Sequence, residues 1–253
     1  MQTVTKKQYI ITSFLFEKID SSKDVSALTK KVKKSRNGYA GFKSRTGLYR
    51  YLDTAIGNPK KLTLGLSEQK TVQSASEAIK KCQKYFPIKK CDVFLFPTYD
   101  PFVLKKMFGV NGFTPWQSTI LLFIHSGCKN LKYIQYTLAH EYAHAAMLNY
   151  HKWESLEDSL FFEGIAEHFR ERVLGGREAP WVKALSQKKS KQLYKKLQNK
   201  LKSKDPSLYG EIFLGKGKVF PLWSGYAIGY YMVGKILKKS GGLFQLIKKP
   251  RIR

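Results

Sequence analysis

Residues Leu131–Tyr150, LKYIQYTLAHEYAHAAMLNY, contain the pentapeptide His140-Glu141-Tyr142-Ala143-His144, the pattern HExxH. On an α-helix, residues four apart lie about 40° apart around the axis and one turn along it, so the imidazoles of His140 and His144 can converge on one metal ion. Glu141 is one step round from His140, near such an ion but not bound to it. From there it can take a proton from a water whose pKa zinc has lowered to about 7. Leu131, Ile134, Leu138, Tyr142 and Ala145 recur at helical spacing and predict a buried helix. Thr137, His140, Glu141 and His144 form a polar stripe beside them, which needs partners if it is buried. The competing reading is an exposed helix face with an ordinary Glu and two His.

The following segment argues against that alternative. From Ser155 the chain reads SLEDSLFFEGIAEHFRERVLGG, with Phe162, Ile165, Ala166, Phe169 and Val173 as an apolar stripe and Glu163 and Glu167 four apart on an adjacent face. Eighteen residues separate His144 from Glu163, giving HExxH-x18-E. Two antiparallel helices joined by a short loop through His151–Glu154 would return Glu163 over the histidine pair as a third ligand. Three protein ligands and one water make an open, catalytic zinc site. Glu167 is placed to accept the free ring N–H of a ligand histidine and fix its tautomer. The alternative for Glu163 and Glu167 is a solvated helix face with Arg170 as ion-pair partner.

The combination HEYAH, x18, EGIAEHF resembles the gluzincin metallopeptidases, in particular the YjaZ-like family of predicted bacterial zinc-dependent proteases. Ala143 stands where that family's HEYHH motif has a His, a departure that leaves both outer histidines in place. The resemblance runs from about Cys91 to Val233. It implies Zn²⁺ held by His140, His144 and Glu163, and Glu141 as general base. The implied fold is α+β, mainly α, of thermolysin or gluzincin type, with a small β-sheet preceding the HExxH helix. Tyr226-Ala227-Ile228-Gly229 resembles the Tyr-x-x-Gly by which gluzincin aminopeptidases place a transition-state tyrosine, and a phenol there could donate to an oxyanion. Tyr226, Tyr230, Val233 and Leu237 equally make a core-facing helical stripe. The Gly-x-Met-Glu-Asn exopeptidase signature is absent, so nothing favours removal of N-terminal residues over internal cleavage. A metzincin would need Gly and His where this chain has Met147 and Tyr150. His125, His151 and His168 are read as surface or satisfied core histidines.

Working outward, Cys91–Phe96 (CDVFLF) and Ser118–His125 (STILLFIH) have strand composition, with a turn-rich loop over Gly109–Phe113 between them. By the gluzincin resemblance, Thr119–Phe123 is either an edge strand that pairs with extended substrate or an ordinary buried strand. Tyr9–Phe16 is expected to open the chain as a helix and not as a signal peptide. Helices are expected over Asp24–Lys34, Thr46–Ile56 and Ser67–Tyr85, forming the wall of the cleft opposite the zinc helices, with a Gly-rich loop from Arg36 to Phe42 and a stop at Gly57-Asn58-Pro59. A basic helix is expected over Gln187–Ser203, turns over Lys204–Gly217, a helix over Trp223–Lys239 and a basic tail KKPRIR. No linker is visible, so 1–253 reads as a single metallopeptidase unit with approximate lobes 1–128 and 129–253.

Hydrophobic content of 43% and aromatic content of 14% exclude a disordered chain. No uncharged apolar run reaches about 18 residues, so no transmembrane span is expected. The three cysteines, Cys82, Cys91 and Cys128, show no CxxC spacing and read as reduced thiols of a cytoplasmic protein. The net charge of +28 is spread in lysine pairs such as Lys30-Lys31 and Lys188-Lys189. It implies a solvated basic surface with salt-sensitive, non-specific attraction for nucleic acid or anionic surfaces, and a field that concentrates acidic polypeptides. The functional expectation is a zinc-dependent peptide-bond hydrolase. Its rival is a basic binding protein for nucleic acid or acidic partners with a structural or vestigial zinc site.

Overall fold

A computed structural model of the chain describes residues 2–6, 9–17, 19, 21–36, 45–57, 65–176, 179–217, 219–240 and 242–248. The class is α+β and mainly helical, and contacts divide the chain into two compact units, Met1–Asn149 and Tyr150–Arg253.

The first unit runs β1 (Gln2–Lys6), β2 (Tyr9–Ser13), α1 (Ser22–Lys34), α2 (Arg45–Ile56), α3 (Glu68–Tyr85), β3 (Cys91–Thr98), α4 (Pro101–Lys106), β4 (Val110–Trp116), β5 (Thr119–His125) and α5 (Leu131–Met147). The five strands form one sheet in the order β1-β2-β3-β5-β4. β3 is parallel to both β2 and β5, and the outer pairs are antiparallel. Every residue of β3 is buried, as a strand with neighbours on both edges and helices on both faces requires. On one face Phe94, Phe96, Leu121 and Phe123 join Val25, Leu28 and Val32 of α1 and Leu48 and Leu52 of α2 in a core. α5 packs on β4 and β5, with α3 alongside it. Side chains alternate across a strand, so α5 covers the face opposite α1 and α2.

Several expectations are corrected by the sheet. Tyr9–Ser13 is a strand and not a helix: Tyr9, Ile11 and Ser13 are buried while Ile10 is exposed, a period of two carried by β-branched residues in a run too short to establish a helical period. Gly109–Phe113 is no loop, since β4 begins at Val110. β5 lies between β3 and β4, so Thr119–Phe123 is an internal strand, and among the described strands β4 and β1 are the edges. α1 and α2 do not form a wall opposite the HExxH helix, because the sheet stands between them and α5. By its contacts α5 groups with this sheet, whereas the lobes drawn from sequence placed it with the later helices.

The second unit contains α6 (Leu156–Leu174), α7 (Gln187–Lys196), α8 (Pro206–Leu214), α9 (Ser224–Ser240) and α10 (Leu243–Lys248). Ser155 opens α6 in a capping box with Asp158. α7 stops at Lys196, short of Ser203, and a 3₁₀ turn over Gln198–Lys200 follows. Lys204–Gly217 is not all turns, because Asp205 caps and Pro206 opens α8. Lys188, Lys189, Lys191, Lys195 and Lys196 are exposed while Ser190 and Leu193 are buried, so the charge of α7 lies on its solvated side.

Residues 37–42 of the expected Gly-rich loop, Asn58-Pro59 and the tail from 249 lie outside the described residues. Among the described residues no helix is long and apolar enough to cross a membrane, and Cys82, Cys91 and Cys128 are free and buried.

Candidate metal centre

Asn130 caps α5 by accepting the Lys132 N–H at 2.9 Å, and Ile134 and Leu138 hold the helix on the core. That orientation buries the motif. His140, Glu141 and His144 are 8%, 6% and 3% exposed, which excludes the reading of an exposed helix face. The two Nε2 atoms stand 3.0 Å apart with ring planes at 84°. Two imidazole nitrogens bound to one tetrahedral zinc, each about 2.0–2.1 Å from it, stand about 3.3 Å apart. The pair therefore fits a shared metal with little adjustment. Ligand-capable atoms of His140, Glu141 and His144 all lie within 4.8 Å of one another.

Glu141 is seated against the edge strand. Thr114 Oγ1 lies 2.7 Å from Glu141 Oε2 and 3.0 Å from the main-chain oxygen of Glu141. A Cβ on Gly112 would stand 2.5 Å from Glu141 Cγ and 2.6 Å from Oε1, so only glycine leaves room for this carboxylate. The register of β4 against β5 shifts between Phe113 and Trp116. This bulge returns Trp116 to the α1/α2 core while Gly112 and Thr114 both face α5. On the other face of β4, the ring of Tyr51 of α2 lies 4.4 Å from that of Phe113, tilted by 38°. Burial pushes the Tyr51 phenol far above its ordinary range, the Glu141 carboxylate adds to the rise, and a side-chain hydrogen bond with Asn111 opposes it. Sequence reading missed Tyr51, Gly112 and Thr114. The glycine looked like turn chemistry, and Tyr51 belongs to a helix far upstream.

In the second unit, Glu163 and Glu167 of α6 are 4% and 0% exposed, so neither sits on a solvated face. Arg170 is the ion-pair partner of Glu167, but within the interior: its Nε donates to Glu167 Oε2 at 2.9 Å and its NH1 to the Gly176 carbonyl at 3.0 Å. The indole N–H of Trp181, which sequence reading also missed, donates to Glu167 Oε1. Tyr230 donates to Glu171 Oε2 at 2.8 Å. Tyr226 is half-buried, with its ring edge-on to Phe213 at 5.2 Å. α6 and α9 meet at two glycines: a Cβ on Gly164 would stand 2.3 Å from the Gly229 carbonyl oxygen, and one on Gly229 would stand 2.2 Å from the Leu160 carbonyl oxygen. This crossing fixes Tyr226, three residues before Gly229, relative to Glu163, which precedes Gly164.

The remaining histidines bond to main-chain groups. His125 Nδ1 accepts the Gly127 N–H at 2.9 Å, His151 Nε2 lies 2.9 Å from the Ile247 carbonyl oxygen, and His168 Nε2 lies 3.1 Å from that of Tyr230. Burial pushes His125 and His168 below their ordinary range, favouring the neutral ring.

Comparison with known proteins finds no match among curated sequences. The family described as predicted Zn-dependent protease (DUF2268) matches residues 71–248, which span the sheet strands β3 to β5, the HExxH helix and nearly all of the second unit. With well over half of its 253 residues matched, the chain belongs to this family.

Proposed function

We propose that the protein is a zinc metallopeptidase of gluzincin type, with His140, His144 and Glu163 as metal ligands and Glu141 as general base. The observation that carries the reading is the facing pair of histidine Nε2 atoms on a buried helix with a carboxylate seated beside them. Bound zinc would supply a water of lowered pKa and polarise the scissile carbonyl. Glu141 takes the proton from the attacking water and delivers it to the leaving amine. Tyr226 donates a hydrogen bond to the carbonyl oxygen as it gains charge. Glu167, held by Arg170 and Trp181, orients a ligand histidine through its ring N–H. Among the described residues β4 pairs with β5 alone, and its outer edge is suited to receive an extended peptide, one of the two roles considered for Thr119–Phe123. That mode recognises backbone more than side-chain identity, consistent with endopeptidase action.

The test combines metal content with hydrolysis of a fluorescent casein. Wild type should carry about one zinc per chain, Glu163→Ala should lose most of it, and Glu141→Gln should keep zinc and lose hydrolysis. Folded, metal-replete wild type without zinc, or a fully active Glu141→Gln, would overturn the reading and favour the basic binding protein.

A further inference from the structure

We propose that Thr114 is a positioning residue for Glu141, a two-way hydroxyl that keeps the general base in one place through every protonation state of its cycle. The inference rests on the reading of Glu141 as general base. Thr114 Oγ1 lies within hydrogen-bond distance of two oxygens of the same residue, Oε2 at 2.7 Å and the main-chain oxygen at 3.0 Å. A hydroxyl has one hydrogen to donate and lone pairs to accept. While Glu141 is ionised, Thr114 donates to Oε2. When the proton from water resides on Oε1, Oε2 remains an acceptor and the same bond persists. When it resides on Oε2, the carboxyl O–H donates to Thr114 Oγ1, and the Thr114 hydrogen turns to the main-chain oxygen of Glu141. The Thr114 hydrogen is never transferred. The water O–H bond breaks, its proton moves to the carboxylate and then to the leaving nitrogen, and Glu141 ends ionised as it began.

The surroundings leave the carboxylate little other room. Glu141 is 6% exposed and Thr114 is also 6% exposed, and the backbone of Gly112 closes the space on the β4 side. The bulge after Phe113 permits this arrangement, because it lets Thr114 face α5 while Trp116 fills the opposite core. A side chain that must accept and release a proton at a fixed point gains from such a support, since misplacement by about 1 Å lowers rates by about 100-fold.

The experiment uses the zinc-loaded full chain as wild type, Thr114→Val, Thr114→Ser and Glu141→Gln, with fluorescent casein as substrate. Thr114→Val removes the hydroxyl at nearly constant volume on a strand where valine is favoured. It should keep its zinc and its KM while kcat falls about 10- to 100-fold, the range for losing a hydrogen bond to a charged group. Thr114→Ser should restore most of the loss, and crystal structures should show Glu141 displaced from Gly112 in the valine variant only. The inference is overturned if Thr114→Val keeps wild-type kcat while Glu141→Gln is inactive, if serine fails to rescue, or if Glu141 stays in place in the Thr114→Val crystal. Glu141→Gln as active as wild type instead defeats the general-base reading, and the crystal structures then decide the positioning role alone.

Discussion

Replacing Gly229 by Ala puts a methyl group into the closest approach of α6 and α9. The new Cβ would stand 2.2 Å from the Leu160 carbonyl oxygen and 3.2 Å from the Gly164 nitrogen. Unstrained carbon–oxygen contacts are about 3.3 Å or longer, so the helices must separate by about 1 Å. Both obstructing atoms are main chain within a helix and cannot rotate away like a flexible side chain. Overpacking of this kind costs about 1–3 kcal/mol, and the upper end applies to a backbone obstruction. Alanine returns about 1 kcal/mol in helix propensity. The net loss of about 1–2 kcal/mol corresponds to a fall in Tm of about 2–8 °C for a chain of this size. Thermal unfolding followed by circular dichroism measures it. Gly210→Ala in α8 serves as control, because the nearest atom to its Cβ is the flexible Lys216 Cδ at 3.3 Å, so its Tm should hold or rise. Gly164→Ala should resemble Gly229→Ala, and the double variant should cost less than the sum because one separation admits both methyls. A Gly229→Ala protein with the Tm of the Gly210→Ala control would refute the close crossing.

Two further perturbations test the interior of each unit. Arg170→Leu leaves the fully buried Glu167 without its cation and should cost about 3–5 kcal/mol in urea unfolding, most of it recovered in Arg170→Leu/Glu167→Leu; a single variant within about 0.5 kcal/mol of wild type, the ordinary range for surface substitutions, would show that the pair is not buried as described. Cys82, Cys91 and Cys128 are at most 1% exposed, and burial pushes all three thiols above their ordinary range. Thiolate is scarce and shielded, so a thiol reagent at pH 8 should label native protein slowly and all three cysteines rapidly in denaturant. Rapid labelling of native protein would contradict this account.

The parts of the fold legible in the sequence were those with a long period or a local chemical signal. α3, α5, α6 and α9 each carry several turns of apolar spacing, and their starts at Ser67, Asn130 and Ser155 coincide with side chains that accept backbone N–H groups. β3 and β5 were legible as continuous apolar runs. β2 was not, because five residues cannot distinguish a period of two from one of 3.6. β4 was hidden for a different reason. Its Gly112 and Pro115 are turn residues by composition, yet the glycine makes room for Glu141 and the proline sits at a bulge on an edge strand, where a missing N–H costs no pairing. The candidate site divides in the same way. His140, Glu141 and His144 announce themselves through a spacing that only a helix turns into proximity, whereas Thr114 and Gly112 meet Glu141 through sheet register and packing, which no local window contains.

The Tyr-x-x-Gly segment carries two readings, one chemical and one of packing, and the structure bears on the second. Chemistry accounted for Tyr226 and Gly229, and core packing for the stripe Tyr226, Tyr230, Val233 and Leu237. The glycine is now explained by packing, since Gly229 is where α9 meets α6. Tyr230 is likewise structural: its hydroxyl donates to Glu171, its ring stacks 4.2 Å from His168, and its carbonyl lies 3.1 Å from His168 Nε2. Val233 is fully buried. Tyr226 is half-buried, as Tyr230 is, and its ring is steadied edge-on by Phe213. The packing glycine therefore does not compete with a catalytic tyrosine. By letting α9 approach the helix that carries Glu163, Gly229 fixes the position of Tyr226, one turn earlier, relative to that helix, which is the support its proposed role requires.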